Sequence, residues 1–387
     1  MLKTLYLLEY ALRSLVRKWK KYVALVSIYA IVVAFFSSVI FFTSALNRET
    51  QTVLSDLPEI WVQKLAGGRL VPIEESFLNE VSSEIRGIKK IAPRIWGYNY
   101  DVATGAVLTL MGSNASLQDL ALLNTQTTEL RKGEALCGTG LLEIRELYEG
   151  DRFTLQDSHG ELQSFDIKGS FSAKSDLLTK DLLILHPDDA RIMLGLSPKQ
   201  VTDIGIEVYN PEETDNIAKK IDMAYSGIRV VTRDQLKATY EALFSWRGGI
   251  FIYGGIISLL AFLILAWERM AGLGNEEQKE LGILKGIGWE ITDVLWVKLW
   301  EGIIISLTAA LSGILLALVH VYIFQAPLLK PFLIGWSMMY PAYDLHFSLQ
   351  MGDLAIILSV AIIPYLSATI IPAWKGAITD PADIMNG

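Results

Sequence analysis

Four stretches of the chain stay apolar long enough to cross a bilayer, which takes about 20 helical residues. Tyr22 to Asn47 runs without a charge, and Gly248 to Trp267 does the same. Gly302 to Phe324 holds only His320 as a residue able to carry charge. Leu354 to Trp374 contains Pro364 and Pro372, which membrane helices tolerate. No Asp, Glu, Lys or Arg falls inside these four stretches. Ion-coupled transporters and channels place such groups within their spans, so the pattern predicts a structural bundle and not a polar path for solute. The first run exceeds a signal-peptide core of about 7–15 residues and follows a long basic stretch, so it is expected to be an uncleaved anchor.

Between the first two runs the pattern changes to short alternating and helical segments. Ile60–Leu65, Leu182–His186, Ile204–Tyr209 and Ile228–Val231 are expected strands. Arg152–Leu155 and Leu162–Ile167 flank Asp157-Ser158-His159-Gly160, a turn signal, and predict a hairpin. Phe77, Leu78, Val81, Ile85 and Ile88 recur at helical spacing and predict a helix over Glu74–Ile88. Pro187 opens a short helix, and Pro211–Ala224 forms another. Thr232 is placed to cap a helix that begins near Arg233 and, with no proline before Trp267, continues into the second span. The first span likewise continues outward past Asn47, so two stiff connections are expected at the base of the inserted domain.

Composition agrees with this division. Of 387 residues, 51% are apolar and 20% charged. Residues 48–247 carry 22 Lys+Arg against 30 Asp+Glu, while the remainder carries 12 of each. An acidic inserted domain argues against nucleic acid as a partner. Lys3, Arg13, Arg17, Lys18, Lys20 and Lys21 precede the first span against one acid, Glu9. By the positive-inside rule the N-terminus is expected in the cytoplasm, the C-terminus with it, and residues 48–247 outside. The lone Cys137 excludes an internal disulfide and a cysteine-based zinc site, and is read as a small core residue. No Gly-x-x-x-x-Gly-Lys-Ser/Thr, His-Glu-x-x-His or Gly-x-Ser-x-Gly occurs, so neither a P-loop nor a familiar hydrolytic constellation is present. Met338, Met339, His346 and Met351 are soft candidate ligands for copper or haem iron, in a loop that also holds the interface aromatics Trp336 and Tyr340. A membrane-interface loop explains them more simply. His320 is expected to find a hydrogen bond at the outer end of its span, and Asn114-Ala115-Ser116 fits a glycosylation sequon.

Two segments outside the spans carry further information. Glu276-Glu277-Gln278-Lys279-Glu280-Leu281-Gly282-Ile283-Leu284-Lys285-Gly286-Ile287-Gly288-Trp289 joins a charged half to an apolar side. Gly282 and Gly286 leave one face bare. On physical grounds alone it is equally a solvated loop helix or a contact helix. The chain then ends Pro372-Ala373-Trp374-Lys375-Gly376-Ala377, followed by Asp380-Pro381-Ala382-Asp383-Ile384. With Ala11–Arg17 before the first span and Tyr148–Phe153 in the inserted domain, these segments resemble the MacB, FtsX and LolCDE permeases of ABC transporters. Glu280–Gly288 is similar to the family's Glu-Leu/Ile-x-x-Leu-Lys/Arg-x-Ile-Gly pattern.

The resemblance implies an α-helical membrane protein with four transmembrane helices plus a mixed α/β (α+β) extracytoplasmic domain between spans one and two. Residues 1–47 would form the amphipathic lead-in helix and first span. Residues 48–247 would form the outer domain with its stalk, and 248–387 the remaining spans. It implies a bacterial inner-membrane permease without catalysis of its own, paired as a homodimer or heterodimer. A cytoplasmic ABC ATPase would bind ATP and Mg, with no cofactor or metal on this chain. The segment at about 275–289 would be the coupling helix. Glu276, Glu277 and Glu280 would meet basic groups there; Leu281, Ile283, Leu284 and Ile287, beside Lys285, would fill an apolar groove. Substrate would be exported or extracted beyond the membrane, and membrane lipid surrounds the spans. A second function stays open: a scaffold that activates an extracytoplasmic partner protein without transport, as FtsX-like members do.

Overall fold

The computed structural model describes residues 2–55, 57–113, 123–124, 130–173, 179–271, 284, 286–333 and 344–378. The chain divides into two units. One comprises Met1–Ala45, Ser245–Leu333 and Phe347–Gly387, the other Leu46–Phe244 and Ile334–His346.

In the first unit, helix α1 (Leu2–Arg17) leads into α2 (Trp19–Ser55) through a single turn residue, Lys18. Four helical stretches are long and apolar enough to span a membrane: Trp19–Glu49, Gly249–Trp267, Ile291–Ile323 and Met351–Trp374. The third starts eleven residues before the predicted Gly302. Its helix runs Ile291–Leu318 and closes in a π-helical turn, Val319–Ile323. Asp293, Lys298 and Glu301 lie on its first turns, ahead of the uncharged run that begins at Gly302. Lys298 Nζ and Glu301 Oε2 meet at 2.8 Å one helical turn apart, which lets both stay buried in an otherwise apolar helix.

The bundle closes where small residues let backbones approach. A Cβ on Gly313 would lie 2.8 Å from Ala30 O, and one on Gly302 would lie 2.9 Å from the Leu366 side chain. Tyr29 stacks on Phe262 with centroids 4.2 Å apart and on Tyr365 at 5.3 Å. Pro364 has no N–H, so the carbonyl of Val360 loses its helical donor. One residue on, the Tyr29 hydroxyl donates to Ala361 O, supplying this turn with an interhelical bond. Ser258, Ser306, Thr308 and Ser367 each donate to a carbonyl one turn back on their own helix, so their hydroxyls need no water.

In the second unit, eleven strands among the described residues form one mixed sheet. They are β1 (Ile60–Ala66), β2 (Arg69–Val71), β4 (Ile88–Tyr100), β5 (Val107–Gly112), β6 (Leu123–Asn124), β7 (Glu134–Gly138), β8 (Arg152–Gln156), β9 (Leu162–Ala173), β10 (Leu182–Leu185), β12 (Asp203–Val208) and β13 (Ile228–Thr232). The order is β13-β1-β12-β4-β5-β10-β7-β9-β6, with β2 beside β1 and β8 beside β9. β3 (Ile73–Glu74) and β11 (Gln200–Val201) pair separately. β5–β10 and β7–β9 are parallel, and the other pairings are antiparallel.

Alternation along these strands sends Ile60, Val62, Leu108, Leu110, Leu183, Leu185, Ile204 and Ile206 into one core. The helices α3 (Ser76–Glu84), α4 (Thr139–Arg145), α5 (Pro187–Leu194) and α6 (Thr214–Ala224) add Leu78, Leu141, Met193 and Ile217 to it. β10 is buried along its whole length, because Leu182 and Ile184 form a second cluster with Leu136 on the other face.

The predicted helix over Glu74–Ile88 is shorter. Glu74 belongs to β3, and Ile88 opens the 13-residue β4. The helix stops at Glu84 with Ile85 extended, and Gly87, at φ +96°, turns the chain into β4. The helix from Thr232 appears as α7 (Arg233–Ala271). Thr232 Oγ1 accepts from Gln235 N, and Gln235 Oε1 accepts from Thr232 N, a reciprocal cap.

Candidate functional site

The end of the candidate coupling segment is built on a helix stop. Trp289 N donates to Leu284 O at 3.0 Å, and Gly288 between them sits at φ +98°. This six-to-one bond across a left-handed glycine is the signature bond of a Schellman cap. It turns Trp289 back against the first unit, where its ring lies 5.2 Å from Tyr10 of α1. The next helix, α8 (Ile291–Leu318), starts at once with a reciprocal Glu290–Asp293 cap.

Asp293 also accepts Lys3 Nζ of α1 at 2.8 Å. The bond to Asp293 holds the Lys3 ammonium above its usual range. Below this polar contact, Leu7 and Ala11 of α1 bury against Val297, flanked by Tyr10, Trp289 and Trp300. Burying a leucine side chain contributes about 1.5–3 kcal/mol. α1 is thus fastened to the start of α8, and the turn Ile287–Glu290 that directly precedes α8 is held to α1 through Trp289.

Two of the candidate coupling residues are described. Leu284 is half-buried and Ile287 is 70% exposed. Glu276, Glu277, Glu280, Leu281, Ile283 and Lys285 lie outside the described residues, as does the tail from residue 379. Sequence reasoning missed the fastening itself. Tyr10 and Lys3 carry no motif, and only the recurrence of Leu7 and Ala11 at i, i+4 signals a face that packs.

The Lys298–Glu301 pair is a second feature that the sequence did not single out. Lys21 and Tyr22 of α2, Ala266 of α7, and Tyr365 and Thr369 of α9 (Met351–Ile378) line the small cavity beside it. Lys298→Met leaves the Glu301 carboxylate buried without that ammonium. We expect it to lower the stability of the detergent-solubilised chain by about 1–2 kcal/mol. Lys298→Met/Glu301→Leu should lose less. Thermal unfolding of the three variants side by side checks this, and an additive double variant would refute the coupling.

Of the weaker candidates, Trp336, Met338, Met339 and Tyr340 lie outside the described residues. His346 Nδ1 is 3.0 Å from Glu49 Oε1, and Met351 is exposed at the start of α9. No group of three or more metal-ligating side chains occurs among the described residues. His320 Nδ1 finds Ser38 Oγ at 3.2 Å, the hydrogen bond expected of it. Cys137 is fully buried in the outer core, and burial pushes its thiol up to about 12, which makes it inert. The sequon at Asn114 lies outside the described residues. Tyr148–Phe153 is a structural turn. Tyr148 N donates to Asp151 Oδ2, Gly150 sits at φ +91°, and Arg152 pairs with Asp166 through two bonds of 2.6 and 2.9 Å.

Four membrane-length helices, with a mixed α/β domain inserted between the first and second, give the chain the architecture of a multi-pass membrane protein. The family description "FtsX-like permease C-terminal" matches residues 251–381. Over those residues the chain is similar to FtsX-like permeases, in line with the resemblance to the MacB, FtsX and LolCDE group carried by its sequence motifs. The lipoprotein-releasing system transmembrane protein LolC of Xylella fastidiosa strain 9a5c is 20% identical over 235 residues, 58% of this chain and 55% of that protein. The LolC of strain Temecula1 matches to the same extent. The chain therefore spans about half the length of these relatives. Among solved structures, the periplasmic region of MacB from Actinobacillus actinomycetemcomitans aligns at TM-score 0.34 and 12% identity. That alignment covers 49% of this chain and 95% of the other. The extracellular domain of the noncanonic ABC-type transporter YknZ from Gram-positive bacteria aligns at 0.32 and 10%, covering 45% and 99%.

Proposed function

We propose that this chain is the membrane subunit of an ATP-driven complex in which a separate cytoplasmic ABC ATPase binds ATP and Mg. On this reading both termini face the cytoplasm and two permease chains, identical or related, pair in the membrane. The segment at about 275–289 seats in the ATPase. Closure of the ATPases moves the spans, and the outer domain responds by exporting or extracting a substrate beyond the membrane. The observation that carries the reading is where that segment ends. The cap at Gly288 fixes its last turn to the α1–α8 contact, so a push on the segment reaches a span within a few residues. Ile287, exposed at that turn, gives the segment an apolar contact to offer.

The test is co-purification of the tagged full-length chain in mild detergent from its own host. An ABC ATPase is expected with the native chain and is expected to be lost, more than tenfold, from Ile287→Glu and Leu284→Arg at unchanged thermal midpoint. Absence of an ATPase from the native preparation, or its full retention by both variants, refutes the coupling role.

A further inference from the structure

Helix α1 has two apolar faces. Leu7 and Ala11 are spent on α8. Leu5, Leu12 and Val16 recur at seven and four residues, which at 3.6 residues per turn puts them on one line well away from Leu7 and Ala11. They are 56%, 45% and 71% exposed, and Trp19, 56% exposed, follows them. Beside this strip runs a basic edge: Arg13 and Arg17, one turn apart, then Lys20, all exposed. Arg13 shares its edge with Glu9, whose Oε1 lies 2.6 Å away. Lys20 Nζ sits 5.9 Å from the Trp19 ring. The uncharged run of the first span begins at Tyr22, two residues beyond Lys20. The strip therefore sits at the level where a bilayer's headgroups meet its acyl chains. An apolar strip with a cationic border and a tryptophan at that depth is how a helix lies in an interface.

We propose that α1 and the first turn of α2 together form a binding site for anionic phospholipid: Leu5, Leu12, Val16 and Trp19 lie among the acyl chains while Arg13, Arg17 and Lys20 hold the phosphates of the headgroups. Charge complementarity selects the occupant. Three cations on one edge favour a lipid with net negative charge over a zwitterionic one, and a flat apolar strip alone would not distinguish them. Glu9 opposes such a headgroup and weakens the site at its Arg13 end.

The experiment places the full chain in nanodiscs and compares spin-labelled phosphatidylglycerol with spin-labelled phosphatidylcholine by the motionally restricted fraction of each. The native chain should favour phosphatidylglycerol by about fivefold or more, the worth of roughly one cation beside an anionic headgroup, with the preference shrinking in high salt. Arg13→Gln/Arg17→Gln/Lys20→Gln should bring the ratio close to one at unchanged thermal midpoint, since all three side chains are exposed. Glu9→Gln should move it the other way, a gain that loss of folding cannot imitate. A native ratio near one overturns the proposal, as does a triple variant that keeps the native preference. So does a disulfide between two copies of Val16→Cys, readily read because Cys137 is buried, since it would assign the strip to a second copy of the chain.

Discussion

Arg145→Ala should destabilise the outer domain by about 3–5 kcal/mol, the cost of stranding a buried charge. Asp101 is 2% exposed and takes its hydrogen bonds from three directions. Arg145 Nε donates to its Oδ2 at 2.9 Å while the same guanidinium reaches Oδ1, Thr104 Oγ1 donates at 2.6 Å, and Ala103 N donates at 3.2 Å. Burial pushes this carboxyl up, but the bonds from Arg145 and Thr104 outweigh it and hold it below the usual carboxylate range. A depressed folded-state value contributes stability above the unfolded value near 4, and that contribution is lost as pH falls through the folded value. Without Arg145, burial dominates, and protonation of Asp101 becomes a relief. The gap between native and variant should therefore narrow below about pH 4. Hydrogen exchange at the amides of β4 and β5 in the full chain reads both effects. A variant whose exchange matches native at pH 7 would show that the pair holds nothing together.

The second large effect is expected at Gly138, where β7 meets α4. A Cβ there would lie 2.1 Å from Thr179 O, 2.8 Å from Lys180 O and 3.1 Å from Leu182 O. These are backbone atoms that lead into the fully buried β10, so they have nowhere to move. Gly138→Val should cost roughly 3 kcal/mol or more, at the upper end of overpacking effects, and should raise exchange across β7 and β10 together. Gly249→Ala gives the contrast. Nothing lies within 4 Å of its added methyl group, and α7 is helical there. It should stabilise by up to about 1 kcal/mol. Equal behaviour of the two variants would refute the close-approach reading.

What the sequence made legible follows from how each element is buried. β1, β8, β10, β12 and β13 were readable because they alternate cleanly or are apolar throughout, and each begins or ends within a residue or two of its predicted bounds. β4 was not, although it sits mid-sheet. Lys89, Lys90, Pro93 and Arg94 break its pattern, and Pro93 argues against a central strand. The register explains why it is tolerated. Residues 88–94 pair with β12, and the ladder to β5 begins only at Ile95, so Pro93 occupies a half-strand with one partner. The helix that carries the third apolar run reaches back to Ile291, beyond the run itself, for a similar reason. Lys298 and Glu301 read as the end of an apolar run, and only their placement three residues apart on one helix makes them a single neutral pair. Of the candidate site, the segment and its neighbourhood were visible as a charged half joined to an apolar half. The contact that fixes its end was not, because Lys3 and Asp293 lie on opposite sides of the whole inserted domain in the sequence.

The order β13-β1-β12 has a consequence for how this domain can change. The first strand of the inserted segment lies between its last two. Ile60 to Lys64 pair with Thr232 to Ile228, and Arg233 donates from its backbone to Glu59 O and from its side chain to Glu59 Oε1 and Leu57 O. The place where the chain enters the domain is thus zipped to the place where it leaves. Residues between β2 and β11 hang from that seam as a cassette. Loops within it can lengthen, or be exchanged for those of a related domain, without loosening the seam, because chain ends held side by side make a domain tolerant of insertion.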